Sequence, residues 1–343
     1  MKNLKLIPFS IFLLNLILGF SGIINSTPFI AEKPVGYDTL TFIHASDPHV
    51  CNLTGYHPLF VEKRQHFGNN REPLLQFFNT VPATHKADFI AITGDNIDYF
   101  ESETAKGGML DTQIEQYTGL IDLCNIPVYL TLGNHDLASY YVDSESTYTS
   151  NQFNAEKARA TWIRNTPCFK NGTYYSRLFK IGTTSFRLIF LDNGYSATRE
   201  VSDKLLPFII DQSQLLWLDA ELKASDSDIE LIFMHIPVTY GQSADSKIIT
   251  ESFASYSTKT AGQFNLLTVL EKNSSSRIIF AGHKHINNIN NYTFTNGNML
   301  TQVLTAGFGY DPNAWRMIKL TDKNIIIYLP GSSKSEYVIT LNK

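Results

Sequence analysis

Five short motifs, each placed directly after a run of apolar residues, carry the chemistry of this 343-residue chain. They are Asp47-Pro48-His49, Gly94-Asp95-Asn96-Ile97-Asp98, Gly133-Asn134-His135-Asp136, His235, and Gly282-His283-Lys284-His285. Carboxylate, carboxamide and imidazole groups all ligate metals, and the glycines let backbone approach closely. Taken singly, each motif has a bland reading. An Asp-x-His is commonly a solvated loop, Gly-Asp favours turns, and a single histidine such as His235 is more often a satisfied structural residue than a ligand. Jointly they ask for another explanation. In open α/β sheets ligands bind at the carboxyl ends of strands, so five polar strand exits are expected to converge on one place.

The elements that must position these motifs are visible as apolar runs. Leu40–His44, Asp88–Thr93, Pro127–Thr131, Phe186–Leu191, Ile229–Met234 and Arg277–Phe280 read as buried strands. Helices are expected between them. One opens at Pro73 with Leu74, Leu75, Phe77 and Phe78, proline suiting a first helical position. Others span Thr112–Leu123, Asp211–Ala224, where Leu215, Leu218 and Leu222 share a face, and Gln263–Leu270. Strands alternating with helices imply an α/β fold with parallel βαβ units. Leu137–Lys170 reads as a long insertion, and from Ile286 onward the chain reads as β-rich.

The ordered series Asp47-x-His49, Gly94-Asp95-x-x-Asp98, Gly133-Asn134-His135-Asp136, His235 and Gly282-His283-x-His285 resembles the calcineurin-like metallophosphoesterase superfamily, over about Thr41 to His285. Gln214-Leu-Leu-Trp217-Leu-Asp-Ala-Glu221-Leu is similar to a helix of its phosphodiesterase and phosphatase branches. The resemblance implies a β-sandwich of mixed sheets flanked by helices, with the site at the strand ends. It implies that Asp47, His49 and His285 hold one metal ion, Asn134, His235 and His283 a second, and that Asp95 bridges both. The ions would be divalent or trivalent transition metals, and this donor set suits Mn, Fe or Zn. Two cations about 3.5–4 Å apart can share a hydroxide and make it a nucleophile near neutral pH. His135 would act as general acid or charge stabiliser, oriented by Asp98 or alternatively by Asp136, with Asp98 preferred and expected to raise its pKa.

Departures from relatives narrow the expectation. Purple acid phosphatases of this superfamily place a metal-binding tyrosine where this chain has Asp98, and Tyr99 is one position too late. Protein Ser/Thr phosphatases place an arginine at the position of Tyr99. What remains resembles the broad group of cyclic-nucleotide phosphodiesterases, sphingomyelinase-like enzymes and small-ester phosphatases, which implies a small phosphoester substrate, a diester being slightly favoured and a monoester the alternative. A binding module that merely keeps the fold would show eroded ligands, and none is missing. For substrate contact, Lys63, Arg64, His66, Asn69 and Arg71 form either an anion clamp or a solvated loop. Tyr240, Phe308 and Tyr310 either stack on a base or pack.

The net charge of −4 and pI near 6.1 give no dedicated nucleic-acid-binding surface. Lys2 and Lys5, the apolar run Leu6–Phe20, and Ser21-Gly22 describe an export signal over residues 1–25, leaving a catalytic domain at 36–343. The protein is expected to be periplasmic or secreted. Retention of that segment would instead anchor it in a membrane facing outside, the one membrane contact expected. Cys51, Cys124 and Cys168 are too few for a disulfide scaffold and allow at most one bridge.

Overall fold

Apolar runs without alternation bury both faces of a strand, and the chain uses its runs in that way. The computed structural model describes residues 38–68, 70–143, 146–194, 208–224, 228–238, 254–255, 265–273 and 276–341. The export-signal segment, Asn69, Tyr240 and Gln263 lie outside the described residues.

Two six-stranded sheets face one another. In the first, β1 (Thr39–Ala45), β2 (Phe89–Thr93) and β5 (Val128–Thr131) are parallel. Antiparallel strands β16 (Trp315–Thr321), β17 (Asn324–Tyr328) and β18 (Tyr337–Thr340) complete the order β18-β17-β16-β1-β2-β5. In the second, β9 (Thr184–Phe190), β11 (Asp228–Phe233), β13 (Ser276–Ala281) and β15 (Met299–Leu304) are parallel. Antiparallel β8 (Tyr175–Ile181) and β14 (Asn288–Thr293) form its edges. The fold is therefore the expected mixed α/β sandwich with a β-rich C-terminal part, three of whose strands return to the first sheet.

Alternate residues of each run serve different layers. Leu188, Phe190, Leu231, Phe233, Ile278 and Phe280 join the core between the sheets. Their neighbours Ile189, Leu191, Ile232, Met234, Ile279 and Ala281 join a second core under α5 (Gln212–Ala224) and α6 (Leu266–Lys272). Leu215, Leu218 and Leu222 are the buried face of α5, as their spacing predicts. Phe42 and Phe89 stack at 4.8 Å, and Phe42 meets Phe233 and Phe280 edge-on at 5.8 Å, tying one sheet to the other. Each such fully buried phenylalanine contributes about 1.5–3 kcal/mol.

Helices α2 (Arg71–His85) and α3 (Gln113–Ile121) contribute Leu74, Phe77, Phe78, Ile114, Tyr117 and Leu120 to the same core as the first sheet. Two readings need adjustment. Helix α2 begins two residues before Pro73, which lies in its first turn. The stretch Leu137–Lys170 has structure of its own: β6 (Ser139–Val142) and β7 (Tyr148–Asn151) form a four-stranded sheet with β3 (Glu101–Glu103) and β4 (Met109–Leu110). Helix α4 (Ala155–Asn165) then docks through Trp162, whose Nε1–H donates to the Asp136 carbonyl. Short α1 (Pro58–Arg64), a 3-10 turn at Pro167–Phe169 and the pair β10 (Ile209–Ile210) with β12 (Ala254–Ser255) complete the described elements. Cys51, Cys124 and Cys168 are free thiols. Among the described residues no helix is long and apolar enough to cross a membrane.

Candidate metal centre

The five strand exits meet. The loop after β1 runs beside the loop after β2, with the Asp47, His49 and Val50 N–H groups donating to the carbonyls of Gly94, Asp95 and Asn96. The loop after β15 closes the other side, where Phe308 and Gly309 N–H donate to Ser46 and Asp47 carbonyls. Gly282 N–H donates to the His235 carbonyl, joining the exits of β11 and β13. Close approach needs glycine at Gly133, where a Cβ would fall 2.3 Å from Asp95 Oδ1.

Two groups of donor atoms result. In one, His285 Nε2 lies 3.0 Å from Asp47 Oδ1 and 3.4 Å from His49 Nε2, and His49 Nε2 lies 3.7 Å from Asp95 Oδ2. In the other, His235 Nε2 lies 3.2 Å from both Asp95 Oδ2 and Asn134 Oδ1, and His283 Nδ1 lies 3.0 Å from Asn134 Oδ1. Asp95 Oδ2 belongs to both groups. All seven side chains expected as ligands are thus brought together, Asp47, His49, Asp95, Asn134 and His235 being buried.

The donor chemistry fits cations. His235 Nδ1–H donates to the Thr93 carbonyl at 2.8 Å, since a carbonyl only accepts. In the neutral ring this leaves the Nε2 lone pair facing two acceptor oxygens, an arrangement that asks for a positive charge between them. Without an ion a proton supplies it: burial opposes charging, but Asp95 and Asp47 outweigh burial and raise the His235 pKa to about 9. Burial likewise opposes the charged forms of Asp47 and Asp95, yet the surrounding histidines, His235 foremost, hold both below the usual carboxylate range.

The backbone carries the same signature. Asp47, His49, Asp95, His283 and His285 have φ of 53°, 46°, 48°, 66° and 53°, the left-handed region. Among the described residues only two other non-glycine residues, Lys86 and Ser146, share it. Strained backbone concentrates where side chains must be aimed for function.

His135 and its partner depart from expectation. Its backbone N–H donates to Asp95 Oδ1 at 2.8 Å, and its ring Nδ1–H donates to the backbone carbonyl of Asp98 at 2.7 Å. The Asp98 carboxylate stands farther off, at 3.7 Å. That carboxylate is instead gripped by Arg64, Nε lying 2.9 Å from Oδ2 and Nη2 bonded to Oδ1, and it faces His49 Nδ1 at 3.5 Å. Nor is the His135 pKa raised: burial dominates and lowers it to about 4, Asp95 only partly offsetting this. Asp136 is neither helix cap nor partner of His135. It accepts from Gly133 N–H, Asn96 Nδ2 and Ile97 N–H at 2.7–3.0 Å, tying the second and third exits together.

Of the expected substrate contacts, Arg64 is committed to Asp98 and sandwiched between the rings of Phe67 and Tyr99. Lys63 and Arg71 are exposed, Arg71 pairing with Glu72. His66 sits against Phe67, and Tyr310, 59% exposed, lies 4.7 Å from His285 at the rim. Phe308 is buried against Phe77. Sequence reasoning missed Asn70, whose Nδ2 donates to Pro48 and Gly309 carbonyls and pins the first exit to the last. It also missed Asn193, whose Oδ1 accepts from His235 and Ile236 N–H. A signal was present: Asp192-Asn193 is a sixth polar exit, directly after the Phe186–Leu191 run.

Comparison with known proteins agrees with this geometry. The model of the calcineurin-like phosphoesterase family matches residues 40–287. The chain belongs to that family and is a phosphoester hydrolase. No curated protein matches it significantly. Among solved structures, a dimetal phosphatase from Danio rerio is 18% identical with a TM-score of 0.52, covering 88% of this chain and 98% of its own. A purple acid phosphatase, PPD1, from yellow lupin (Lupinus luteus) seeds is 12% identical with a TM-score of 0.51, covering 90% of this chain and 55% of its own. At these identities the likeness shows the fold.

Proposed function

We propose that the chain is an exported two-metal phosphodiesterase. Asp47, His49 and His285 would hold one ion and Asn134, His235 and His283 the other, with Asp95 shared. Mn, Fe or Zn suits these nitrogen and oxygen donors. Such ions lower the pKa of water and neutralise phosphoryl oxygens. The single observation that carries the reading is Asp95 Oδ2, within 3.7 Å of His49 Nε2 in one group and 3.2 Å of His235 Nε2 in the other.

The protein's own groups then orient and move protons. With Nδ1–H held by the Asp98 carbonyl, His135 keeps Nε2 for the substrate. A phosphoester anion beside that nitrogen favours the protonated ring, so substrate binding itself would charge the group that donates to the leaving oxygen. Asp98 and Arg64 would act behind His49, holding its Nδ1 edge so that Nε2 faces the ligand cluster.

Two observations favour a diester over a monoester. Arg64, a cation that could otherwise grip a terminal phosphate dianion, is engaged by Asp98. The position occupied by arginine in protein phosphatases holds Tyr99, buried against Phe60 and His135. Export rests on the Lys2–Gly22 pattern. The test is to strip the purified mature chain with chelator, restore Mn²⁺, Zn²⁺ or Fe²⁺ separately, and compare a chromogenic phosphodiester with its matching monoester. Turnover restored by metal, faster on the diester, is expected. Faster monoester turnover would make the chain a phosphatase, and no turnover with any ion would leave a binding module.

A further inference from the structure

A line of buried polar groups leads away from Asp47 into the sandwich, and its bonds all run in one direction. Arg316 Nη1–H donates to Thr305 Oγ1 at 2.9 Å, and Thr305 Oγ1 lies 2.8 Å from His44 Nδ1. On the far edge of that ring, His44 Nε2 lies 3.0 Å from Thr93 Oγ1. Thr93 Oγ1–H donates to Ser46 Oγ at 2.9 Å, and Ser46 Oγ–H donates to Asp47 Oδ2 at 2.6 Å. A guanidinium can only donate and an ionised carboxylate can only accept. Ser46 Oγ also lies 2.9 Å from the Thr93 carbonyl, and the shorter contact to the ionised Asp47 takes its hydrogen. From that end the links follow: Thr93 donates to Ser46, His44 carries its proton on Nε2, and the neutral ring accepts from Thr305 at Nδ1.

Every member of the line, from Arg316 to Asp47, is wholly buried. Burial and the nearby Arg316 charge keep the ring neutral, with a pKa lowered to about 3. The far end is itself fixed. Arg316 is held by Glu336 at 2.7 and 2.9 Å and donates to the Leu304 carbonyl. The line thus starts on β16, crosses β1 at His44 and ends on the first polar exit.

We infer that His44, Ser46, Thr93, Thr305 and Arg316 form a positioning chain that occupies Asp47 Oδ2 and so presents Oδ1 to a metal ion shared with His49 and His285. The inference rests on the two-ion reading above and adds to it an asymmetry: the chain serves one of the two ion sites. Asp47 Oδ1, outside the line and sharing with Oδ2 only the His283 backbone N–H, is the oxygen that faces His285 Nε2 at 3.0 Å. The other site's oxygen, Asn134 Oδ1, is outside the line, which touches that site only through the backbone: the Thr93 carbonyl accepts His235 Nδ1–H and lies 2.9 Å from Ser46 Oγ. A hydrogen-bonded partner behind a ligand commonly changes metal affinity 10–100-fold when removed.

The experiment is a manganese titration of the intact mature chain, following free Mn²⁺ by paramagnetic resonance, for the wild type, Thr305→Val and Thr305→Ser. Thr305→Val keeps the shape and removes the hydroxyl, well away from any ligand. Two ions are expected in all three proteins, with Thr305→Val binding one of them about 10-fold or more weaker, the other unchanged, and Thr305→Ser restoring wild-type affinity. The increment in Tm produced by saturating Mn²⁺ should fall in Thr305→Val and return in Thr305→Ser. If Thr305→Val fails to fold, Thr93→Val against Thr93→Ser makes the same comparison two links nearer the ligand. Two ions bound by the valine variant as tightly as by wild type would overturn the inference while leaving the two-ion reading intact. Equal weakening of both ions, or no rescue by serine, would also overturn it, reducing the line to packing. A wild-type chain that takes up no manganese would instead remove the two-ion reading, and the inference with it.

Discussion

Gly282→Ala should damage the centre by a route that can be worked out atom by atom. A Cβ on Gly282 would stand 1.7 Å from Ser46 Oγ, 2.3 Å from Asp47 Oδ2 and 2.8 Å from Ser46 Cβ. Ordinary carbon contacts begin near 3.5 Å, so both neighbours must withdraw by about 1 Å or more. Rotating the Ser46 hydroxyl relieves the first contact only. The contacts to Ser46 Cβ and the Asp47 carboxylate persist, and Asp47 is wholly buried with its Oδ2 already accepting from Ser46 and the His283 backbone.

Overpacking of this kind costs about 1–3 kcal/mol, and loss of a hydrogen bond to a charged group about 1.5–3 kcal/mol more. The expected destabilisation is therefore about 2.5–6 kcal/mol. At roughly 2–4 °C per kcal/mol for a domain of about this size, Tm should fall by roughly 5–24 °C. Displacement of Asp47 by an ångström should also lower turnover by about 100-fold, together with the manganese content. The matched control is Gly119→Ala, because a Cβ on Gly119 meets nothing within 4 Å and the residue lies inside α3. That change should stabilise by up to about 1 kcal/mol. Melting curves with and without Mn²⁺, metal analysis and diester turnover on the two variants give the answer. Gly282→Ala with wild-type Tm and metal content would refute the packing argument.

Metal uptake should release a proton, because His235 carries one below pH about 9 and must give it up to ligate. Affinity should then rise with pH towards that value, and calorimetric titrations in buffers of different ionisation enthalpy would expose any failure to release it. His135→Ala should lower turnover by about 10²–10⁴-fold with metal content unchanged, since the ring lies outside both ligand groups as proposed; loss of metal would reassign it as a ligand. Arg64→Met should destabilise by about 3–5 kcal/mol in denaturant unfolding, because it leaves the buried Asp98 carboxylate without its cation. A change under 1 kcal/mol would show that His49 and His135 suffice to hold Asp98.

The motifs were legible because each follows a strand whose apolar run is unbroken, and strand direction alone then places the exits at one edge. What was not legible is which polar atom meets which. Asp98 and His135 are close in the chain order of the motifs, yet the carbonyl of Asp98 reaches the ring and its carboxylate turns to Arg64 on α1. Nothing in Pro58–Arg64 announces a helix strongly: it is about two turns, and its single buried anchor is Phe60. The insertion at Leu137–Lys170 hid its strands for a different reason. Val142 and Tyr148 are only half-buried, so those strands lack the continuous apolar signature of a core strand. Asn70 acts on backbone carbonyls of distant loops, a role that depends on tertiary contact and leaves no local pattern, whereas Asn193 differs in following an apolar run, so that its place at a strand exit was legible though its partners were not.

The left-handed residues connect the stability of the fold to its chemistry. At about 1 kcal/mol or more for each non-glycine residue so held, the five ligand positions together cost on the order of 5 kcal/mol, a large part of the 5–15 kcal/mol typical of a whole domain. Asp and His tolerate the region better than branched residues, so the residues proposed as ligands are also those that lower this cost. The strain persists because the loops are pinned from behind, by Asn70, Asp136 and Asn193 and by backbone bonds between exits. Acceptor atoms facing one another add a second cost, which the His235 proton relieves at only one point. A cation in each group would relieve the rest, so the same geometry that strains the protein would make it bind, the pinned loops holding the side chains in place beforehand.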